Sequence, residues 1–110
     1  MKKTFLFTVL LLLINCILFA QTDATGETEL YEKLKSVDKE LNLVYKNTMQ
    51  KITISNRKNL KKEQKNWIKQ RDLKCKNNNE AGVYGNKLRI DCLIQETINR
   101  ISQIEKWKRE

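Results

Sequence analysis

Apolar side chains recur every three or four residues along three separate stretches of this 110-residue chain, and no proline interrupts any of them. That spacing constrains the fold more than any other feature. In the first stretch, from about Glu29 to Ile54, Leu30, Leu34, Val37, Leu41, Val44, Thr48 and Ile52 step by three and four. At about 100° per residue they share one stripe, which a helix buries and a strand scatters over both faces. The β-branched Ile52-Thr53-Ile54 followed by Ser55-Asn56 predicts fraying into a turn, with Ser55 or Asn56 capping the next helix. The second stretch, Arg57 to Lys76, gathers Leu60, Gln64, Trp67, Ile68, Arg71 and Cys75 on one side. Its opposite side is a ridge of Lys58, Lys62, Lys65, Lys69 and Lys76, interrupted by Asp72. Asn77-Asn78-Asn79 ends that helix, and Gly82 and Gly85 read as a loop. A third helix is expected to begin between Lys87 and Cys92 and to reach Trp107, with Ile90, Ile94, Thr97, Ile98, Ile101 and Ile104 inward. Three amphipathic helices with short connections predict an all-α fold: a small antiparallel three-helix bundle, a helical hairpin plus a third helix.

The N-terminus bears on where the chain resides. Lys2 and Lys3 precede an apolar run from Phe5 to Ile14, broken by Thr8, and Ala20 stands just before the sequence turns polar at Gln21. This is the layout of a secretory signal peptide spanning residues 1–20, cut after Ala20. The alternatives are a retained membrane anchor, for which the apolar stretch is marginally long, and lipoprotein processing at Cys16. In the latter, Asn15 departs from the small residue preferred before the modified cysteine. Residues 21–28 read as a flexible leader and 29–110 as the folded domain. Cleavage would leave 20 basic residues against 13 acidic, a net charge of +7. Export, periplasmic or secreted, would also leave two cysteines, Cys75 and Cys92, whose default state in an oxidising compartment is a disulfide closing the bundle. A domain this small has a modest core and gains from such a bond.

Enzymatic chemistry finds little support. There is no histidine, so nucleophilic catalysis lacks its usual base and zinc its commonest nitrogen ligand. The cysteine spacing fits neither a redox pair nor a metal knuckle, and no glycine loop could cradle phosphate. The chain therefore reads as a binding protein with no cofactor and no metal. The residues leave its oligomeric state open.

Polar residues on the inner face of the second helix are more informative. A hairpin turning near Ser55 sets Ile52 against Leu60 and Tyr45 against Trp67, and brings Asp38 within a turn of Arg71. A guanidinium on an inward face needs an acceptor, and Asp38 is the natural one. These residues read as a polar network that fixes helix register, with a ligand-binding role as the alternative.

These residues carry a resemblance. Leu41-Asn42-x-x-Tyr45, then Leu60, Gln64, Trp67, Arg71-Asp72 and Cys75, then Cys92, Thr97 and Arg100 resemble the LprI-like lysozyme-inhibitor N-terminal domain family, over about Leu34 to Ile104. The family pattern runs LNxxY, LxxxQxxWxxxRDxxC, a glycine-containing loop and CxxxxTxxR. The resemblance implies a small exported or envelope-anchored helical domain with one disulfide, in which the motif residues hold the fold. It also implies inhibition of lysozyme, a muramidase that cuts peptidoglycan. Many lysozymes are basic, so a +7 partner would be repelled at long range and would have to act by local fit. Tyr84, Lys87 and Arg89, between the two cysteines, are the candidate contacts. The alternative uses the lysine ridge to engage an anionic envelope polymer or lipid headgroups; nucleic acid is not expected as a partner of an exported protein.

Overall fold

The computed structural model describes residues 26–76 and 82–107, together with the isolated positions 3 and 9. Apart from those two positions, the signal segment with its cleavage point and Cys16, residues 21–25 and the Asn77-Asn78-Asn79 terminator lie outside the described residues. Three helices follow in order: α1 (Glu27–Lys51), α2 (Ile54–Lys74) and α3 (Gly82–Trp107). Among the described residues there is no strand. None of their helices is long and apolar enough to cross a membrane.

Helix starts depart from the sequence reading in three places, each for a local reason. Gly26 adopts the left-handed region at φ 73, so α1 begins at Glu27 and takes in Thr28, both expected in a flexible leader. Glu27 and Glu29 then sit in the first turn, where the helix dipole favours carboxylates. Between α1 and α2 the turn is tighter than expected. Ile52 is extended but buried, its N–H donating to the Thr48 carbonyl at 3.2 Å. Thr53, not Ser55 or Asn56, caps α2, its Oγ1 accepting from the Asn56 N–H at 3.3 Å. The third correction is larger. α3 starts at Gly82, with φ 80, instead of between Lys87 and Cys92. Gly85, read as a loop residue, is buried within the helix and lacks a positive φ, so it serves packing and makes no turn.

The core has two parts. Leu41, Ile52, Leu60, Ile101 and Ile104 form one buried cluster, against which Val44, Tyr45, Met49, Trp67 and Trp107 pack. Val37, Ile90 and Ile94 form a second, flanked by Leu30 and Leu34. The first draws on all three helices; the second belongs to α1 and α3 alone. These two run parallel, because the chain reverses twice between them, and their N-terminal ends meet where Asn86 Nδ2 donates to Glu27 Oε1. The principal interface therefore joins the first and third helices and not sequence neighbours. Leu60 is the one buried residue within α2, among eight basic and two acidic side chains. Burying one leucine stabilises by roughly 1.5–3 kcal/mol, so α2 depends on polar contacts and a covalent bond to stay docked.

Two expected inward residues are not inward: Ile68 and Ile98 are each 40% exposed. On α3 the buried band is rotated toward Leu93 and Arg100, which lie on the opposite flank of the Ile90–Ile94–Thr97–Ile101–Ile104 stripe from Ile98.

Candidate binding surface

The covalent bond is the Cys75–Cys92 disulfide, with Cα atoms 5.4 Å apart. It ties the C-cap of α2 to the middle of α3. Beside it Lys74 pairs with Glu96. Further along, Arg71 reaches both neighbouring helices. Its Nη1 lies 3.5 Å from Asp38 Oδ1 on α1 and donates to Thr97 Oγ1 on α3 at 3.4 Å. Its Nη2 and Nε both face Asp72 Oδ1, at 3.0 and 3.1 Å. The Thr97 hydroxyl in turn donates a hydrogen bond to the Leu93 carbonyl at 2.7 Å. The Asp38 partnership is the one that the hairpin register demanded.

A second arginine completes the arrangement. Arg100 on α3 is 7% exposed; its Nε donates to Gln64 Oε1 at 2.8 Å and its Nη1 to Gln103 Oε1 at 3.2 Å. Trp67 is flanked by both guanidinium groups, Arg71 at 5.0 Å and Arg100 at 5.7 Å from the ring centroid. Nη2 of Arg100 is buried without a partner among the described residues. Burial pulls this guanidinium below its usual pKa, and the nearby Glu63 carboxylate offsets part of the effect. It remains a cation at neutral pH. This side-chain chemistry binds and orients helices; among the described residues no group of ligating side chains is placed to hold a metal ion.

The disulfide also defines a projection. Cys92 lies ten residues into α3, so residues 82–91 run about 15 Å past the bonded end of α2, at 1.5 Å per residue. The start of α1 accompanies them. Asn86 Nδ2 donates to Glu27 and to Tyr31 Oη at 3.1 Å, while Arg89 Nη2 donates to Asn86 Oδ1 at 3.0 Å. The result is a tip of two clamped parallel helix ends. It exposes Tyr84 by 64%, with Val83, Leu88 and Tyr31 also in solvent. Tyr84, Lys87 and Arg89, expected on a loop, thus stand on the first two turns of a helix. Arg89 is half-buried and engaged with Asn86, which leaves Tyr84 as the most outward of the three.

Comparison with known protein families gives one match, the lysozyme inhibitor LprI family, over residues 19–104. The chain belongs to the LprI family. No characterised protein and no solved structure matches it.

Within this LprI chain the motif positions fall into two groups. Leu41 and Leu60 are core, Tyr45 and Trp67 pack on that core, and Gln64, Arg71, Asp72, Thr97 and Arg100 form the polar network. Asn42 differs: it is exposed and its side chain makes no hydrogen bond with a described residue. It lines an open groove along α1 with Tyr31, Leu34, Asp38 and Leu43. Of the lysine ridge, Lys58, Lys62, Lys65 and Lys69 are exposed on the outer side of α2, and Lys76 is exposed just beyond its C-cap. The residue that the sequence reading missed is Asn86, which clamps the tip; its only signal was the Asn86–Arg89 spacing of three on a helix not expected to start so early.

Proposed function

We propose that this chain inhibits a lysozyme-type muramidase by protein–protein binding, presenting the disulfide-anchored tip to the substrate cleft with Tyr84 as the central contact. Membership of an inhibitor family supports binding as the activity. The observation that carries the finer reading is the exposure of Tyr84 on a helical end that projects past the disulfide and is clamped by Asn86. A tyrosine on rigid backbone offers ring area and a hydroxyl at little entropic loss, the usual make-up of an interface anchor. Arg89 stiffens the tip through Asn86, and Lys87 adds positive charge suited to the paired carboxylates of a glycosidase. The proposal includes export, with residues 1–20 as the signal; the disulfide fits an extracytoplasmic setting.

A cell-wall lysis assay tests it. The oxidised parent protein should inhibit, and Tyr84→Ala should weaken inhibition at least tenfold, the effect of removing an anchor worth about 1.4 kcal/mol or more. Against a basic muramidase, inhibition should set in faster as salt rises, because screening removes like-charge repulsion. Full inhibition by Tyr84→Ala would place the contact elsewhere.

A further inference from the structure

Along α2 and beside the last turn of α3 lies an open concavity of about 590 Å³. Asn59, Lys62, Lys65, Asn66 and Lys69 line it from α2, and Trp107 forms its α3 side. We propose that this trough is a second binding site, for a linear anionic polysaccharide bearing carboxylate groups. It lies apart from the tip and does not depend on the tip's role.

Three features select that ligand class. The first is uncompensated charge. The side chains of Lys62, Lys65 and Lys69 make no ion pair or hydrogen bond with a described residue, in contrast to Lys74 on the same helix, which pairs with Glu96 of α3. Glu63 also lines the trough, but its charge is already felt by the buried Arg100 guanidinium. The second is spacing. Steps of three and four residues set the ammonium groups roughly 4.5–6 Å apart along the helix axis, comparable with the advance per sugar in an extended glycan. The third is the company the lysines keep. Asn59 and Asn66 line the same concavity, supplying amide donors and acceptors that suit sugar hydroxyls. Trp107, half-buried against the core, offers the remaining ring surface on which a pyranose face can stack. A lipid surface asks for a flat basic face with apolar side chains to insert, whereas this one is concave and amide-rich. Lys58 and Lys76, although on the same ridge, do not line the trough and are not part of the site.

Isothermal titration of the oxidised protein with polygalacturonate, neutral dextran and phosphatidylglycerol-containing vesicles tests the assignment. Polygalacturonate should bind saturably at low salt and weaken as salt rises, and dextran should not bind. The variant Lys62→Gln/Lys65→Gln/Lys69→Gln should lose tenfold or more, about the sum of three exposed charge contacts. A control, Lys33→Gln/Lys35→Gln/Lys51→Gln, removes the same charge from exposed positions on α1 and should stay within about threefold of the parent. Equal losses in the two triple variants would reduce the effect to net charge and overturn the site. So would tighter binding to vesicles than to polygalacturonate, equal binding of dextran, or no saturable binding of polygalacturonate. All of these side chains are exposed, so circular dichroism should show both variants folded as the parent.

Discussion

Removing the Trp67 ring should cost about 3 kcal/mol of folding stability, and the figure follows from where the ring sits. A fully buried tryptophan cut back to alanine loses roughly 3–5 kcal/mol. Trp67 is half-buried against the Leu41–Leu60–Ile101 cluster, so the packing share should be about half of that, near 2 kcal/mol. Its two guanidinium neighbours, at 5.0 and 5.7 Å, add roughly 0.5–1 kcal/mol each at sites of partial exposure. Trp67→Phe keeps a ring with a weaker face and should lose about 1 kcal/mol. The assay is urea unfolding of the oxidised protein followed by circular dichroism, comparing midpoints at constant m. A loss below about 1 kcal/mol for Trp67→Ala would mean that the ring does not bridge the helices, and the account of how α2 is held would fail. No loss for Trp67→Phe would instead remove the guanidinium contacts from the argument.

Other expectations are briefer. Cys75→Ser/Cys92→Ser should lose about 3 kcal/mol by loop-closure entropy for a separation of 17 residues, read from the same unfolding curves; an unchanged midpoint would contradict it. A double-mutant cycle on Gln64→Ala and Arg100→Ala should return a coupling of roughly 1.5–3 kcal/mol, as for a hydrogen bond to a charged group, and additive losses would show the 2.8 Å contact to be inert.

Much of the fold was legible because burial follows helical period. Val37, Leu41, Ile90, Ile94, Ile101 and Ile104 are all buried, and each lay on a stripe drawn from spacing alone. The Asp38–Arg71 pair was also legible, since an antiparallel hairpin leaves few acceptors within reach of that guanidinium. What spacing could not show is which neighbour each helix prefers. Hydropathy set Ile98 on the inner face, and only the family motif put Arg100 among the residues that hold the fold; the band of α3 that meets both other helices includes the arginine and leaves the isoleucine 40% exposed. Hydrogen bonds to Gln64 and Gln103 and the Trp67 face make that burial tolerable, and none of these is visible as hydropathy. Glycine misled in the same way. Gly82 and Gly85 are turn residues by local statistics, but a positive φ at the first opens a helix and burial of the second continues it. The candidate contacts therefore moved from a disulfide-closed loop to a helical tip, which changes how Tyr84 would be presented while keeping its identity as the exposed aromatic between the cysteines.

The most direct test of the tip as the inhibitory contact is chemical-shift mapping of the isotope-labelled, oxidised chain titrated with a muramidase that it inhibits. The account predicts that shifts and broadening concentrate on Val83, Tyr84, Asn86 and Leu88 and on Tyr31 across the clamp, while Lys58, Lys62, Lys65 and Lys69 stay unmoved. Perturbations centred on the α2 lysines with residues 83–88 unchanged would contradict it.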